Sequence, residues 1–111
     1  MPVAAEITLP NGIVVRPART SDVRGIRALV DTYAVERRLL SKATVTLFEH
    51  VQEFLVAVQN DKVVGCGALH VMWEDLAEIR TLAVAPEARH TGLGGIILEL
   101  LVDRGRALGI N

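Results

Sequence analysis

The sequence predicts an α/β (α+β) fold: one mixed sheet with helices packed on it, in the order β-α-α-β-β-β-α. Three observations carry this. Two β-rich runs, Phe54 to Val58 and Val63 to Val71, are split by the short polar turn Asn60-Asp61, which is the pattern of an antiparallel hairpin. Two stretches, opening near Ser21 and Gly94, repeat apolar residues at helical spacing. The chain has 111 residues, half of them hydrophobic, which is enough for one core and too little for two, so residues 1–111 are expected to form a single domain.

Taken in order, Asn11-Gly12 is a turn signal, and Ile13 to Arg16 is a first strand stopped by Pro17. From Ser21, a good N-cap, Val23, Ile26, Leu29, Val30 and Tyr33 share one face of a helix while Asp22, Arg24, Arg27 and Asp31 fall elsewhere. Glu36 to Ala43 is basic and is expected to be irregular. A short helix is expected to open at Thr46, which with Glu49 makes a T-x-x-E capping box. Both arms of the following hairpin are apolar on both faces, so both sides should be covered. After a polar break at Glu74-Asp75 comes a strand from Ala77 to Val84, ended by Pro86 and apolar enough to be central. Gly94 to Leu108 is then helical, with Ile96, Ile97, Leu100, Leu101 and Leu108 as its buried stripe and Gly109 as a C-cap.

Composition excludes several functions. Twelve Lys and Arg against thirteen Asp and Glu give a net charge of -1, which offers no footprint for nucleic acid or an anionic membrane. The lone cysteine, Cys66, permits no intrachain disulfide and no cysteine cluster for a structural metal. Met1 to Glu6 has no basic stretch followed by an apolar one, and no apolar run nears the roughly 20 residues that span a bilayer. The expectation is a cytoplasmic protein.

The chemistry concentrates between the last strand and the last helix, in Arg89-His90-Thr91-Gly92-Leu93-Gly94-Gly95. Glycines let the backbone approach a ligand, and a helix N-terminus presents unpaired N–H groups that favour an anion, each charge-assisted bond contributing about 1.5 to 3 kcal/mol. Arg89 adds a cation. The loop comes late, after antiparallel strands, and has no third glycine at dinucleotide spacing, which disfavours a nicotinamide site. It also lacks the Lys and Ser or Thr of a Walker loop.

Arg89 to Gly94 is similar to the R-x-x-G-x-G signature of the GNAT acetyltransferases, preceded here by the strand Glu78-Ile79-Arg80-Thr81-Leu82-Ala83-Val84, and the order of elements from Ile13 to Asn111 fits that family. Leu40-Ser41-Lys42, Phe54 with Val56, Val64 to Leu69, and Ala77-Glu78-Ile79 further resemble the acetyltransferase domain of N-acetylglutamate synthases, the first enzymes of arginine synthesis, in their short single-domain form. The resemblance implies a mostly antiparallel GNAT-like sheet and acetyl-CoA as cosubstrate. It implies that the loop amides from Arg89 to Gly95 hold the pyrophosphate, with Leu82 and Val84 facing the pantetheine and thioester. It also implies transfer of acetyl to the α-amine of an amino acid, most closely L-glutamate, with no metal required. His90 stands where the family commonly has glycine.

The same resemblance implies that the fold continues past Asn111 with a strand beside Ala77 to Val84, a helix and a final hairpin. This chain is therefore expected to be the N-terminal and central part of the domain, with weak or absent turnover alone and a tendency to pair through an exposed strand edge into homo-oligomers.

Glu78 is the candidate base. Strand alternation puts Glu78, Arg80, Leu82 and Val84 on one face, and a carboxylate partly desolvated there can take the proton that leaves the attacking amine. An ordinary Glu78–Arg80 ion pair is the structural alternative. Lys42, in the segment that resembles a glutamate-binding one, and Arg80, whose planar fork suits a carboxylate, are candidate substrate anchors. Cys66 is a further candidate substrate contact; as an acyl-enzyme nucleophile it lacks an activating base at an evident spacing, and a buried small hydrophobe is the better reading. His70 shares the Cys66 face and is either a proton shuttle or a satisfied histidine at a strand end. His50 and His90 are isolated in sequence, and Trp73 reads as packing or rim. Two rival readings remain: an N-acetyltransferase for another small amine or a protein N-terminus, and an acetyl-CoA-binding module without catalysis.

Overall fold

The computed structural model describes residues 6–37 and 44–111, with the backbone alone for 34–37. Five strands form one sheet in the order β1-β2-β3-β4-β5, every pairing antiparallel: β1 Ile7–Thr8, β2 Val14–Pro17, β3 Phe54–Gln59, β4 Lys62–Trp73 and β5 Leu76–Val84. Three helices accompany it, α1 Val23–Arg37, α2 Thr44–Glu49 and α3 Leu93–Ala107. The expected order therefore stands, with one strand added at the front.

That added strand has a visible cause. Ile7-Thr8 lies before the Asn11-Gly12 turn, and Gly12, at φ +89°, donates its amide to the Leu9 carbonyl at 2.9 Å, folding Ile7 against Val15. The β3–β4 hairpin forms as read. Asn60 and Asp61 both take positive φ (51° and 62°), the backbone that matches the right-handed twist of the flanking strands.

Three helix boundaries differ from expectation. Ser21 does not cap α1; it sits inside a 3-10 turn, Thr20–Asp22, and the carboxylate of Asp22 instead accepts the Arg19 amide at 2.7 Å and the guanidinium of Arg16 at 2.7 and 3.0 Å. The capping box at Thr46 does not form, because α2 opens two residues earlier at Thr44, whose hydroxyl accepts from Arg27 of α1 at 3.1 Å. α1 runs through Arg37, into the stretch expected to be irregular; residues 38–43 lie outside the described residues.

The core has both faces of the sheet covered. α1 approaches β4 at Gly25, where a Cβ would lie 2.7 Å from Val63 Cγ2; α3 covers the other face at Gly67, where a Cβ would lie 2.9 Å from Ile97 Cγ2. Strand glycines thus let α3 seat its buried residues Leu93, Ile97, Leu101 and Gly105 directly on the sheet. Leu108, expected in that stripe, is 61% exposed because the helix ends there. The end is a Schellman turn: Gly109 at φ +99° donates to Arg106 O at 3.0 Å and Ile110 to Gly105 O at 2.9 Å. β5, whose composition suggests a central strand, is an edge strand of the described sheet, and Leu82 is accordingly 41% exposed.

Candidate functional site

The loop between β5 and α3 is built by local bonds. Ala85 donates its amide to Val64 O at 2.8 Å, which ties the end of β5 to β4, and Pro86 then starts a single 3-10 turn. The Thr91 hydroxyl donates to Ala88 O at 2.7 Å and accepts the Leu93 amide at 3.3 Å. His90 and Gly92 both stand in the left-handed region, at φ +66° and +79°. Glycine takes that backbone freely, whereas the Cβ of His90 costs about 1 to 2 kcal/mol there. His90 thus stands in a backbone conformation that glycine adopts at lower cost.

The first helical bond of α3 runs from the Ile96 amide to Gly92 O at 3.1 Å, so the amides of Gly94 and Gly95 precede the helical ladder. Gly94 lines a cleft of about 340 Å³ together with Val84, Ala88, Arg89, His90, Gly92 and Leu93. A Cβ built on Gly92 or Gly95 meets no atom within 4 Å. Arg89 reaches back over the loop, donating to the Tyr33 hydroxyl at 3.3 Å with its guanidinium carbon 5.9 Å from the ring centroid. The expected loop residues Arg89 to Gly95 are therefore brought together with Val84 at one strand-to-helix junction.

β5 does not place its four candidate side chains on one face. Thr81 takes φ +55°, and the register steps from Ala68↔Arg80 to Cys66↔Ala83, so one extra residue is inserted in β5. Before this bulge Glu78 and Arg80 share the face of their partners His70 and Ala68. After it Leu82 and Val84 turn to the α3 side, where Leu82 Cδ1 lies 3.2 Å from a Cβ built on Gly67 and Val84 Cγ2 lies 3.6 Å from one built on Gly94. The bulge breaks the alternation and separates carboxylate and guanidinium from the two apolar residues.

Glu78 itself is solvated rather than desolvated. Its carboxylate accepts from Arg80 Nε, and that hydrogen bond, reinforced by the guanidinium charge, holds its pKa below the usual carboxylate range. As found, it is an ionised, exposed ion-pair partner. Arg80 is half-buried on the same face. Lys42 lies outside the described residues.

Cys66 touches no open surface. It is fully buried, donates its thiol to Thr81 O at 3.3 Å, and burial pushes its pKa up to about 12 against the opposing effect of the Ala83 amide. A thiol so protonated and enclosed is neither a nucleophile nor a substrate contact, so that expectation is corrected. His50 is not isolated either. Its ring meets that of His70 edge-on with centroids 6.1 Å apart, and both lie near the Glu53 carboxylate. Trp73 is 75% exposed at the end of β4 and packs into no core.

The sequence reading missed Tyr33, Glu53 and the His50 contact as site features. Tyr33 was visible only as one apolar member of a helical stripe. The His50-x-x-Glu53 spacing carries no signal until β4 brings His70 alongside.

The acetyltransferase of Mycobacterium tuberculosis named amino-acid acetyltransferase is 57% identical over 98 residues, which cover 86% of this chain and 56% of that protein. The amino-acid acetyltransferase of Neisseria meningitidis serogroup B is 32% identical over 100 residues, 89% of this chain and 23% of that protein. Among solved structures, a Mycobacterium tuberculosis protein in complex with CoA and a second ligand matches with a TM-score of 0.79 at 56% identity, over 86% of this chain and 59% of that one. The N-acetylglutamate synthase of Neisseria gonorrhoeae, complexed with coenzyme A and N-acetyl-glutamate, matches with a TM-score of 0.82 at 31% identity, over 88% of this chain and 23% of that one. The chain spans a little over half the length of the Mycobacterium tuberculosis relatives and under a quarter of the Neisseria ones. The model of the acetyltransferase (GNAT) family matches residues 24–111, and the chain belongs to that family.

Proposed function

We propose that this chain is the acetyl-CoA-binding part of an N-acetyltransferase that acylates the α-amine of an amino acid, with L-glutamate as acceptor and hence a place at the first step of arginine synthesis. The observation that carries the reading is the β5–α3 junction: a left-handed turn at His90 and Gly92 that opens helix N-terminal amides, with Arg89 beside them, onto a cleft ending at Val84. A diphosphate suits those amides and that cation. Leu82 and Val84, on the same side of the sheet as α3, suit the pantetheine arm and thioester. The relatives named for amino-acid acetylation and solved with CoA support the same assignment.

Across the bulge lies the acceptor side. Arg80, with Lys42, is the proposed anchor for the glutamate carboxylates. A carboxylate that takes Arg80 removes the hydrogen-bonded cation from Glu78, whose pKa then rises toward the range in which it accepts a proton from the incoming ammonium. Acceptor binding would thereby ready the base. The reaction needs only acetyl-CoA and the amine.

The proposed compartment is the cytoplasm, where a lone thiol such as Cys66 stays reduced; among the described residues no helix is long and apolar enough to cross a membrane. β5 has an outer edge with no partner among the described strands, and pairing of two copies along it is the proposed route to a homo-oligomer. Light scattering should find the 111-residue chain larger than a monomer at micromolar concentration, and a stable monomer would discard that route.

A product assay with acetyl-CoA and a panel of amino acids tests the function. Glutamate acetylation supports the full reading, and acetylation of another amine redirects the acceptor assignment. Binding of acetyl-CoA without any product agrees with the weak or absent turnover expected of this chain alone and reduces it to the acetyl-CoA-binding part.

A further inference from the structure

His50, Glu53 and His70 converge on the Glu78 side of the sheet, away from the β5–α3 loop. His70 Nδ1 lies 2.8 Å from Glu53 Oε2, His50 Nδ1 lies 3.6 Å from Glu53 Oε1, and one ligand atom from each residue lies within 4.8 Å of the other two. We propose that these three side chains bind a zinc-class divalent cation, leaving a fourth position open to water or to a carboxylate oxygen.

The donor set is the first argument. Two imidazole nitrogens and one carboxylate oxygen match the borderline ions at the zinc end of the transition series, and three protein ligands with an open position is a stable arrangement for zinc. Ligand atoms about 2.0 to 2.1 Å from a tetrahedral ion stand roughly 3.4 Å apart, so separations of up to 4.8 Å must contract by at most about 1.4 Å. All three side chains are partly exposed and have room for that adjustment.

The backbone that carries them is already fixed. His50 and Glu53 bracket a 3-10 turn closed by the Glu53 amide donating to His50 O at 2.9 Å, and Arg104 of α3 pins the same turn by donating to Gln52 O at 2.6 Å. Phe54, next in the chain, pairs with Ala68, two residues from His70 on β4. Sheet and turn thus hold the ligands in register before any ion arrives.

The short His70–Glu53 contact is a hydrogen bond with its proton between them. The cation takes the place of that proton, which leaves to solvent as the metal–nitrogen and metal–oxygen bonds form. A hydrogen-bonded His–Glu pair needs no third residue, so His50 distinguishes a metal site from a structural pair. Because His70 is the cross-strand partner of Glu78, a bound cation would add positive charge beside the proposed acceptor side.

Zinc titration of the 111-residue chain by calorimetry tests this independently of acetyl transfer. One ion per chain should bind to the wild type, and His50→Gln and His70→Gln should each lower the affinity at least about tenfold. His90→Gln, which removes the histidine outside the cluster, should leave it unchanged. Full affinity in His50→Gln, equal losses in all three variants, or no binding by the wild type would overturn the proposal. If His70→Gln fails to fold, His50→Gln, with its side chain 41% exposed, still decides the matter.

Discussion

The hydroxyl of Tyr33, on α1, donates to the carbonyl of Val84, the last residue of β5, and accepts in turn from Arg89, five residues further along the chain. One phenol therefore joins a helix on one face of the sheet to the strand end and the cation that flank the proposed acetyl-CoA cleft.

Tyr33→Phe keeps the ring and deletes both bonds. The variant should lose about 1 kcal/mol of stability. Its Michaelis constant for acetyl-CoA should rise several-fold while that for the acceptor stays put, since Val84 and Arg89 line the proposed acetyl-CoA cleft. Steady-state kinetics with each substrate varied in turn reads this, and equal changes in both constants would reduce Tyr33 to a packing residue.

The ion pair of Arg16 and Asp22 anchors the start of α1 to β2. Burial alone would raise the Asp22 pKa, but the Arg16 hydrogen bonds, the Arg19 amide and the two nearby positive charges together lower it. A folded pKa below the unfolded value contributes stability above the unfolded value, about 3.9, and that contribution disappears as the pH falls through the folded pKa. Asp22→Asn strands the guanidinium of Arg16 and should cost about 3 kcal/mol at neutral pH. Denaturant melts from pH 7 downward should show the wild type losing its advantage over the variant only below about pH 4. A constant gap across that range would mean that the charge of Asp22 is immaterial.

Much of this fold is legible in the sequence because each element carries a local signal: the Asn60-Asp61 turn, the apolar spacing that includes Ile97 and Leu101, and the glycine at 109. The failures come where tertiary bonds override local ones. Ser21 is a good cap by type, yet Asp22 wins because Arg16 on a neighbouring strand fixes its carboxylate. The loop from Arg89 to Gly95 is legible because glycines and a helix start are local features. The β5 bulge is not, since Thr81 is an ordinary strand residue by composition and only the pairing with Cys66 and Ala68 reveals the inserted position. The site geometry of Glu78 follows from that bulge, so alternation alone misplaces it.

Glu78→Gln tests the base. The amide keeps the size and still pairs with Arg80, so acetyl-CoA binding should change by no more than a few-fold. Turnover at neutral pH should fall about a hundredfold, the lower end of what a positioned base contributes. The loss should shrink as the pH rises, because the acceptor ammonium then deprotonates in solution. Undiminished turnover at neutral pH would leave Glu78 as a surface ion-pair partner.

Binding of acetyl-CoA by the backbone amides at the junction of β5 and α3 is tested by calorimetric titration of acetyl-CoA into the wild type and Gly95→Val. Gly95 lies within α3, not at a positive φ, and a Cβ built there meets no atom within 4 Å outside its own stretch of helix, so the fold should tolerate the substitution, which sets a side chain beside the helix amides proposed to hold the diphosphate. The wild type should bind acetyl-CoA and the variant should bind at least about tenfold more weakly, a loss of 1.4 kcal/mol or more. Equal affinities in the two folded proteins would contradict the assignment and place the cofactor elsewhere.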